Sequence, residues 1–188
     1  MIAAVVLAAG ASSRMGSPKA LLRLGEKTLI EAHVASLLSV CHEVVVVVGA
    51  YRREIVELLD IDRVRIVVNE EWATSDALES LRLGVEVIER KTPVVVTPVD
   101  APPVGLIDLR ALIESGPPSV LSWDGCGGHP VIIGSLEVEH ILRGGVVGGL
   151  RSLLLGAKHV PAITPDILCN LNTPELWKGY LSKLSSRK

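Results

Sequence analysis

Short runs of Val and Ile alternate along this chain with longer segments in which apolar residues recur every three or four positions. The short runs predict β-strands, and the β-branched run over residues 44–48 is typical of a strand buried on both faces. Strands are predicted over residues 2–7, 44–48, 64–68, 94–97, 119–122 and 130–133. Strands that alternate with helical segments indicate βαβ units and a mostly parallel sheet.

Apolar stripes at helical spacing predict helices between those strands. The stripes comprise Ile30, Val34 and Leu38; Leu78, Leu81, Val85 and Ile88; Leu106, Leu109 and Ile113; and Leu150, Leu153 and Leu154. A last helix is predicted after Asn172, because Thr173 is a good N-cap and Pro174 suits the first helical position. These elements predict an α/β fold, a three-layer α/β/α sandwich with a Rossmann-like sheet, in which residues 1–188 form one domain.

Composition argues against several classes of partner. The formal net charge of −2 provides no basic surface for nucleic acid or for an anionic membrane. No apolar run approaches the ~20 residues that a membrane span needs. The three cysteines are odd in number and lack the spacing of a zinc site, so we expect reduced thiols and a cytoplasmic protein.

Ligands of open α/β sheets bind beyond the carboxyl ends of the parallel strands. The first such segment, residues 7–19, is a long loop that we expect to face solvent. Gly10 and Gly16 allow its backbone N–H groups to turn towards an anion, and Arg14 and Lys19 add positive charge for a polyphosphate. The spacing fits neither the Walker A motif nor the dinucleotide-binding motif. The residues therefore predict a phosphate-binding loop of another kind, with a plain polar surface loop as the alternative.

The string LAAGASSRMGSPKALL over residues 7–22 closely resembles the signature of the MobA-like NTP transferases. This family includes molybdenum cofactor guanylyl- and cytidylyltransferases and relatives in isoprenoid and sugar-nucleotide synthesis. The resemblance implies a nucleotide-diphospho-sugar transferase-like fold and transfer of a nucleoside monophosphate from an NTP to a phosphorylated acceptor, with release of pyrophosphate. It places Arg14 and Lys19 among the catalytic, phosphate-binding positions. The nucleotide-binding loop would also include Leu7, Ala8, Ala9 and Gly10.

Two later segments carry oxygen ligands suited to Mg²⁺, which takes one or two carboxylates plus substrate phosphates. Asp100 follows a predicted strand in a proline-rich context, and it resembles the catalytic, metal-binding aspartate of the family. Its alternative role is to cap the following turn. Asn172, in the Asn-Leu-Asn-Thr-Pro segment that begins at Asn170, resembles a position of the family's closing motif and is a second expected metal ligand. Asn170 is as well explained by local backbone bonding.

Histidines and one altered loop complete the resemblance. His129 lies in a Gly-His-Pro-Val segment that resembles an acceptor-side strand of the family, and we interpret it as a supporting residue. The other four histidines are expected at the surface or at edges: His33, His42, His140 and His159. Relatives often carry an acidic residue in the loop over residues 145–148, where this chain has only Gly and Val. The contact with the acceptor that is attributed to this acid in relatives is therefore not expected here.

Signals for the nucleotide base are mixed. Ala9, Asn69 and Ser80, the predicted base pocket, look like the cytidylyl branch, whereas the Asn-x-Asn ending at Asn172 looks like the guanylyl branch. We favour CTP, with GTP as the alternative. The resemblance implies molybdopterin as acceptor and a molybdenum hydroxylase as recipient. The alternatives are a transferase acting on a sugar phosphate, polyol phosphate or cobamide precursor, and a non-catalytic accessory protein that binds nucleotide or pterin.

Overall fold

A computed structural model describes residues 1–89 and 91–186. The nine strands are β1 (Ala3–Ala8), β2 (Arg23–Leu24), β3 (Lys27–Thr28), β4 (Glu43–Val48), β5 (Arg65–Val68), β6 (Val94–Pro98), β7 (Ser119–Trp123), β8 (Cys126–Ile133) and β9 (Lys158–Pro161). The α-helices are α1 (Leu29–Leu38), α2 (Arg52–Val56), α3 (Ala77–Glu86), α4 (Leu106–Ser115), α5 (Ser135–Arg143), α6 (Leu150–Leu153) and α7 (Pro174–Ser185). Short 3-10 helices cover Lys19–Leu21 and Pro165–Leu168.

Seven strands form one sheet in the order β5-β4-β1-β6-β8-β7-β9, and β2 and β3 form a small antiparallel ribbon. β1 pairs in parallel with β4 and β6, β4 with β5, and β7 with β9. Among the described strands of this sheet, only β8 runs the other way, antiparallel to β6 and β7. The predicted mostly parallel, three-layer α/β fold is confirmed. Because β8 is reversed, its first residues lie at the edge where its parallel neighbours end.

Both faces of the sheet are buried, which explains the continuous apolar strands. Alternate residues of β1 face opposite layers: Ala4 and Val6 belong to the core that includes apolar residues of α1, α4 and α7, while Ala3 and Val5 belong to the core under α3, α5 and α6. Burying a Val side chain contributes about 1.5–3 kcal/mol, so each face is stabilised by its own set of strand residues.

Helix starts follow local capping chemistry. The Thr28 hydroxyl accepts from the backbone N–H of Glu31, whose carboxylate accepts from the backbone N–H of Thr28. The predicted last helix is confirmed, with Thr173 as N-cap and Pro174 at its first position. Among the described residues, no helix is long and apolar enough to cross a membrane.

Several elements were not predicted from the pattern. A strand was predicted over residues 130–133, but β8 begins earlier, at Cys126. The prediction missed its first residues because two glycines there hide the strand pattern. The prediction omitted the short elements α2, β2, β3 and β9, and it also omitted α5. In α4 the predicted stripe is wrong at Leu106, which is 39% exposed, since Leu112 packs beside Leu109 instead. The three cysteines are free, and burial raises the pKa of the Cys41 thiol to about 12.

Candidate active site

Segments that follow three of the parallel strands approach one another at the carboxyl edge of the sheet. Loops that follow β1, β5 and β6 line a cavity of about 190 Å³, the smaller cavity, which includes Gly10, Ser80 and Asp100 in its walls. The segment before α7 joins them because the backbone N–H of Leu171 donates to the carbonyl of Asp100 at 2.7 Å. The topology thus brings residues that are far apart in sequence to one edge of the sheet.

The loop after β1 is held by its own contacts. The backbone N–H of Lys19 donates to the Ser12 hydroxyl at 3.0 Å, and the Tyr51 hydroxyl donates to the carbonyl of Ala11 at 3.1 Å. Met15 is buried beneath the loop. Gly16 adopts a φ of 73°, a conformation that a glycine takes without strain. These contacts between its own residues and Tyr51 give the loop a defined shape.

Lys19 connects the two predicted metal ligands. Its Nζ lies 2.9 Å from Asp100 Oδ2 and 2.5 Å from Asn172 Oδ1. The side chains of Lys19 and Asp100 are only 14% and 22% exposed, so this ion pair is partly shielded from water. The expectation that Lys19 faces solvent was wrong, because the carboxylate and amide draw its ammonium into the edge of the sheet.

The oxygens around Lys19 also fit a divalent cation. Asp100 and Asn172 offer one carboxylate and one amide oxygen to the same positive group, and Mg²⁺ prefers hard oxygens of this kind. The described part of the chain has no cluster of three or more His, Cys, Asp or Glu side chains that would hold a metal ion. A site with so few protein ligands suits a metal that shares its coordination with substrate phosphates.

Asn69 and two serines form a bonded group at the other end of the smaller cavity. The Asn69 amide nitrogen donates to Ser75 and Ser80, each at 2.9 Å, and its oxygen accepts from the backbone N–H of Glu71 at 3.0 Å. Ser75 and Ser80 line the cavity, whereas Asn69 is 1% exposed and lies behind them. The structure therefore places Asn69 one layer away from the cavity surface.

His33 was expected at the surface or at an edge, but the structure places it beneath the turn that contains Asp100. It is 3% exposed, and burial lowers its pKa to about 4. The neutral ring lies with Nε2 2.8 Å from the carbonyl of Ala101, to which it donates. Its place between Ile30 and Leu37 on the apolar stripe of α1 was the available signal for its burial.

The remaining predicted residues differ in position. Leu7 and Ala9 line the smaller cavity, while Ala8 is buried in β1 beside it. Arg14 is exposed and makes no ion pair or hydrogen bond within the described ranges. The cavity walls also include Ser12, Trp72, Ser75 and Asp76, which were not named as site residues. Asp76 caps α3, so a capping residue in the segment between β5 and α3 was a usable signal for a cavity residue.

A second, larger cavity of about 590 Å³ lies over β8 and α6. Its walls include glycines 125, 127 and 128 together with Leu150, Arg151, Leu154 and His159. His129 also lines it, and the buried Nδ1 of this ring has no hydrogen-bond partner in the described structure. Burial lowers the pKa of His129, while the charge of nearby Asp100 opposes that shift.

Comparison with known proteins agrees with this architecture. Residues 4–162 match the family model of the MobA-like NTP transferase domain. The chain is 33% identical over 156 residues to nicotine blue oxidoreductase of Paenarthrobacter nicotinovorans, which covers 80% of this chain and 72% of that protein.

Solved structures show the same fold. A nucleotidyl transferase from Methanothermobacter thermautotroptrophicus is 27% identical, with a TM-score of 0.84 over 100% of this chain and 99% of that one. Rv0371c from Mycobacterium tuberculosis H37Rv, in complex with manganese, is 21% identical, with a TM-score of 0.80 over 96% and 97% of the two chains. Because the family model spans most of the sequence and a relative above 30% identity covers most of it, this chain belongs to the MobA-like NTP transferase family.

Proposed function

We propose that this protein transfers a cytidylyl group from CTP to a phosphorylated small molecule, with molybdopterin as the acceptor, and releases pyrophosphate. The observation that carries the proposal is the contact of Lys19 with both Asp100 and Asn172 beside a preformed glycine- and serine-rich loop. A cationic group beside oxygen ligands at the carboxyl edge of the sheet suits a triphosphate and its metal ion. The proposal also places the protein in the cytoplasm and treats residues 1–188 as one domain.

The transfer requires orientation more than proton removal. An oxygen of the acceptor phosphate attacks the α-phosphorus, a P–O bond forms, and the bond to the β-phosphate breaks so that pyrophosphate leaves with the electron pair. A phosphate monoester is already anionic, so this step needs no general base. Lys19 and Arg14 would hold the phosphates in line, with Gly10 and Ser12 shaping the loop around them. Mg²⁺ held by Asp100 and Asn172 would neutralise charge on the triphosphate.

The base would lie in the smaller cavity. Leu7, Ala9 and Gly10 form the wall of this space, and Ser80 lies opposite on α3. A cavity of about 190 Å³ has room for a nucleotide base, and the likeness of Ala9, Asn69 and Ser80 to the cytidylyl branch favours cytosine. GTP, favoured by the Asn-x-Asn ending, is the competing triphosphate.

The acceptor would lie in the larger cavity. Its glycine and leucine walls leave room for a flat ring system, and Arg151 and His159 supply groups for an anionic substituent. His129 lines the same cavity, and the charge of Asp100 acts on its ring. A molybdenum hydroxylase would then receive the product.

Pyrophosphate release tests the proposal directly. Steady-state turnover would be measured with CTP or GTP at fixed Mg²⁺, with molybdopterin as acceptor. We expect kcat/KM to be at least about tenfold higher for CTP, because a purine would leave polar groups of a cytosine pocket unpaired at ~1–3 kcal/mol each. Equal or better use of GTP would refute the cytidylyl assignment, and binding without turnover would favour the accessory-protein alternative.

A second candidate function is suggested by the 33% identity to nicotine blue oxidoreductase. In this case two electrons and two protons would pass from a bound reductant to a compound of the nicotine blue type in the larger cavity. Oxidation of NADH or NADPH in the presence of a blue heteroaromatic dye, without pyrophosphate release from any triphosphate, would favour this function over nucleotidyl transfer.

A further inference from the structure

The Asn69 amide has a fixed orientation. A backbone N–H can only donate, so the atom that faces Glu71 N at 3.0 Å must be the amide oxygen. The amide nitrogen therefore faces the two serines, and its two hydrogens match the two bonds of 2.9 Å. Asn69 is 1% exposed, so water does not compete for these bonds.

This orientation decides what the serine hydroxyls can do. Ser75 and Ser80 each accept a hydrogen bond from Asn69, and neither hydroxyl donates to an acceptor among the described residues. A hydroxyl carries one donor in addition to its acceptor lone pairs. Both serines line the smaller cavity, so each has a free O–H donor for a ligand there.

We infer that Ser75 and Ser80 form a pair of hydrogen-bond donors that reads an acceptor edge of the nucleotide base, and that Asn69 is the positioning residue that fixes their polarity. This inference rests on the proposed function, because it places the base in the smaller cavity. It assigns a role to Ser75 and moves Asn69 from base contact to support.

The donor pair selects among bases by their chemistry. Cytosine presents two adjacent acceptors, O2 and N3, which match two donors. Uracil keeps O2 but carries a hydrogen on N3, and adenine presents an amino group beside a ring nitrogen. The Watson–Crick edge of guanine presents N1–H and an amino group, which are donors, so guanine would pair with the serines only by turning its O6 and N7 edge towards them. A donor left facing another donor is unpaired, which weakens binding by about tenfold or more.

Calorimetric titration without acceptor tests the inference independently of transfer. The wild-type chain would be titrated with CTP, UTP, ATP and the pyrimidin-2-one ribonucleoside triphosphate, which keeps O2 and N3 but lacks the amino group of cytosine. We expect the pyrimidin-2-one compound to bind within about threefold of CTP, and UTP and ATP to bind about tenfold or more weakly. Equal affinity for ATP and CTP would overturn the inference alone. Absence of binding by every triphosphate would overturn both proposals, whereas selective binding without pyrophosphate release would overturn only the proposed function.

Asn69→Asp isolates the positioning role. The carboxylate is nearly isosteric and accepts from Glu71, but it also accepts from the serine hydroxyls and so turns their hydrogens away from the cavity. We expect the CTP-to-ATP affinity ratio to fall towards one. Retention of the wild-type ratio in a folded Asn69→Asp chain would contradict the role of Asn69.

Single serine substitutions keep the test decisive if Asn69→Asp does not fold. Ser75→Ala and Ser80→Ala should each reduce the CTP-to-ATP ratio several-fold by removing one donor. Ser39→Ala, which changes an exposed serine at the end of α1, is the matched control and should leave the ratio unchanged. If neither cavity serine changes the ratio, the inference is wrong.

Discussion

The polar groups around the smaller cavity already bond to one another, whereas the walls of the larger cavity, which include glycines, leucines, Arg151 and two histidines, contain a buried histidine nitrogen without a partner in the described structure. In the first, Lys19 contacts Asp100 and Asn172, and Asn69 contacts two serines. In the second, His129 Nδ1 is buried without a hydrogen bond in the described structure. The first region is preorganised, and the second leaves more of its contacts to its ligand.

This contrast separates two kinds of recognition. Preformed polar groups discriminate strongly, because an unsuitable ligand leaves them unpaired. A roomy space with few bonded polar groups discriminates weakly, since small changes in an apolar part of the ligand alter affinity by only about 1–3 kcal/mol. We therefore expect substitutions around the smaller cavity to have larger effects than substitutions around the larger one.

The largest effect is expected for Asp100→Asn. The change removes the negative charge that faces Lys19 and that is proposed to hold Mg²⁺. Loss of about 4 kcal/mol of charge stabilisation corresponds to roughly 1,000-fold lower kcat/KM. Steady-state pyrophosphate release measures this, with thermal unfolding as the control for folding. Activity within a few-fold of wild type would place the metal elsewhere.

His33 predicts a pH effect on stability at the junction of the two regions. Its folded-state pKa is about 4, below the unfolded value of 6.5, so the fold favours the neutral ring. The contribution of the neutral ring to the free energy of unfolding is complete above pH 6.5 and is lost as the pH falls towards 4. The loss is about 3 kcal/mol at most. Urea unfolding should show that the free energy of unfolding falls less between pH 7 and pH 4.5 for His33→Gln than for wild type. The exposed His140→Gln is the matched control, and an equal loss in all three chains would contradict this account.

Lys19→Ala should slow turnover by roughly 30- to 150-fold, because one charged phosphate contact contributes ~2–3 kcal/mol. The loss should appear in kcat/KM for CTP and leave the KM of the acceptor nearly unchanged. Lys19→Arg, which keeps the charge, should recover part of the activity. Unchanged kinetics of Lys19→Ala at saturating acceptor would remove this residue from the site.

The smallest effect is expected at the larger cavity. Leu155 lines it and is 82% exposed, so Leu155→Glu adds a negative charge near the proposed acceptor without disturbing the core. Two like charges about 4 Å apart in water repel by about 1 kcal/mol, so the KM of the acceptor should rise three- to tenfold. The KM of CTP should not change. Leu136→Glu, at a 69% exposed position on α5, is the control, and equal effects of both substitutions would argue against an acceptor in this cavity.

Sequence reasoning succeeded where a local pattern determines structure. The β-branched run in β4 and the Thr173-Pro174 pair before α7 predicted their elements correctly. It failed where tertiary context decides. The glycines that begin β8 have weak strand preference, and the reversal of β8 depends on pairing with β6 and β7. Short elements such as α2 and β9 leave too few residues for a periodic signal.

The candidate site shows the same division. The loop string and the Asp100 context identified residues that the fold brings to one edge. Asn69 was assigned to the base pocket, but only the structure shows that Ser75 and Ser80 stand between it and the cavity. A sequence gives residue types near a site, whereas the order of layers around a ligand depends on packing.

The bridge from Lys19 to Asp100 and Asn172 has a kinetic consequence. A free divalent cation that approaches these oxygens must displace a tethered ammonium, which would then lose both of its bonded oxygens. A metal–triphosphate complex brings the phosphates to which that ammonium can move, so the two cations exchange partners in one event. Metal ion and triphosphate should therefore enter together rather than in sequence, and the chain without nucleotide should hold loose cations poorly.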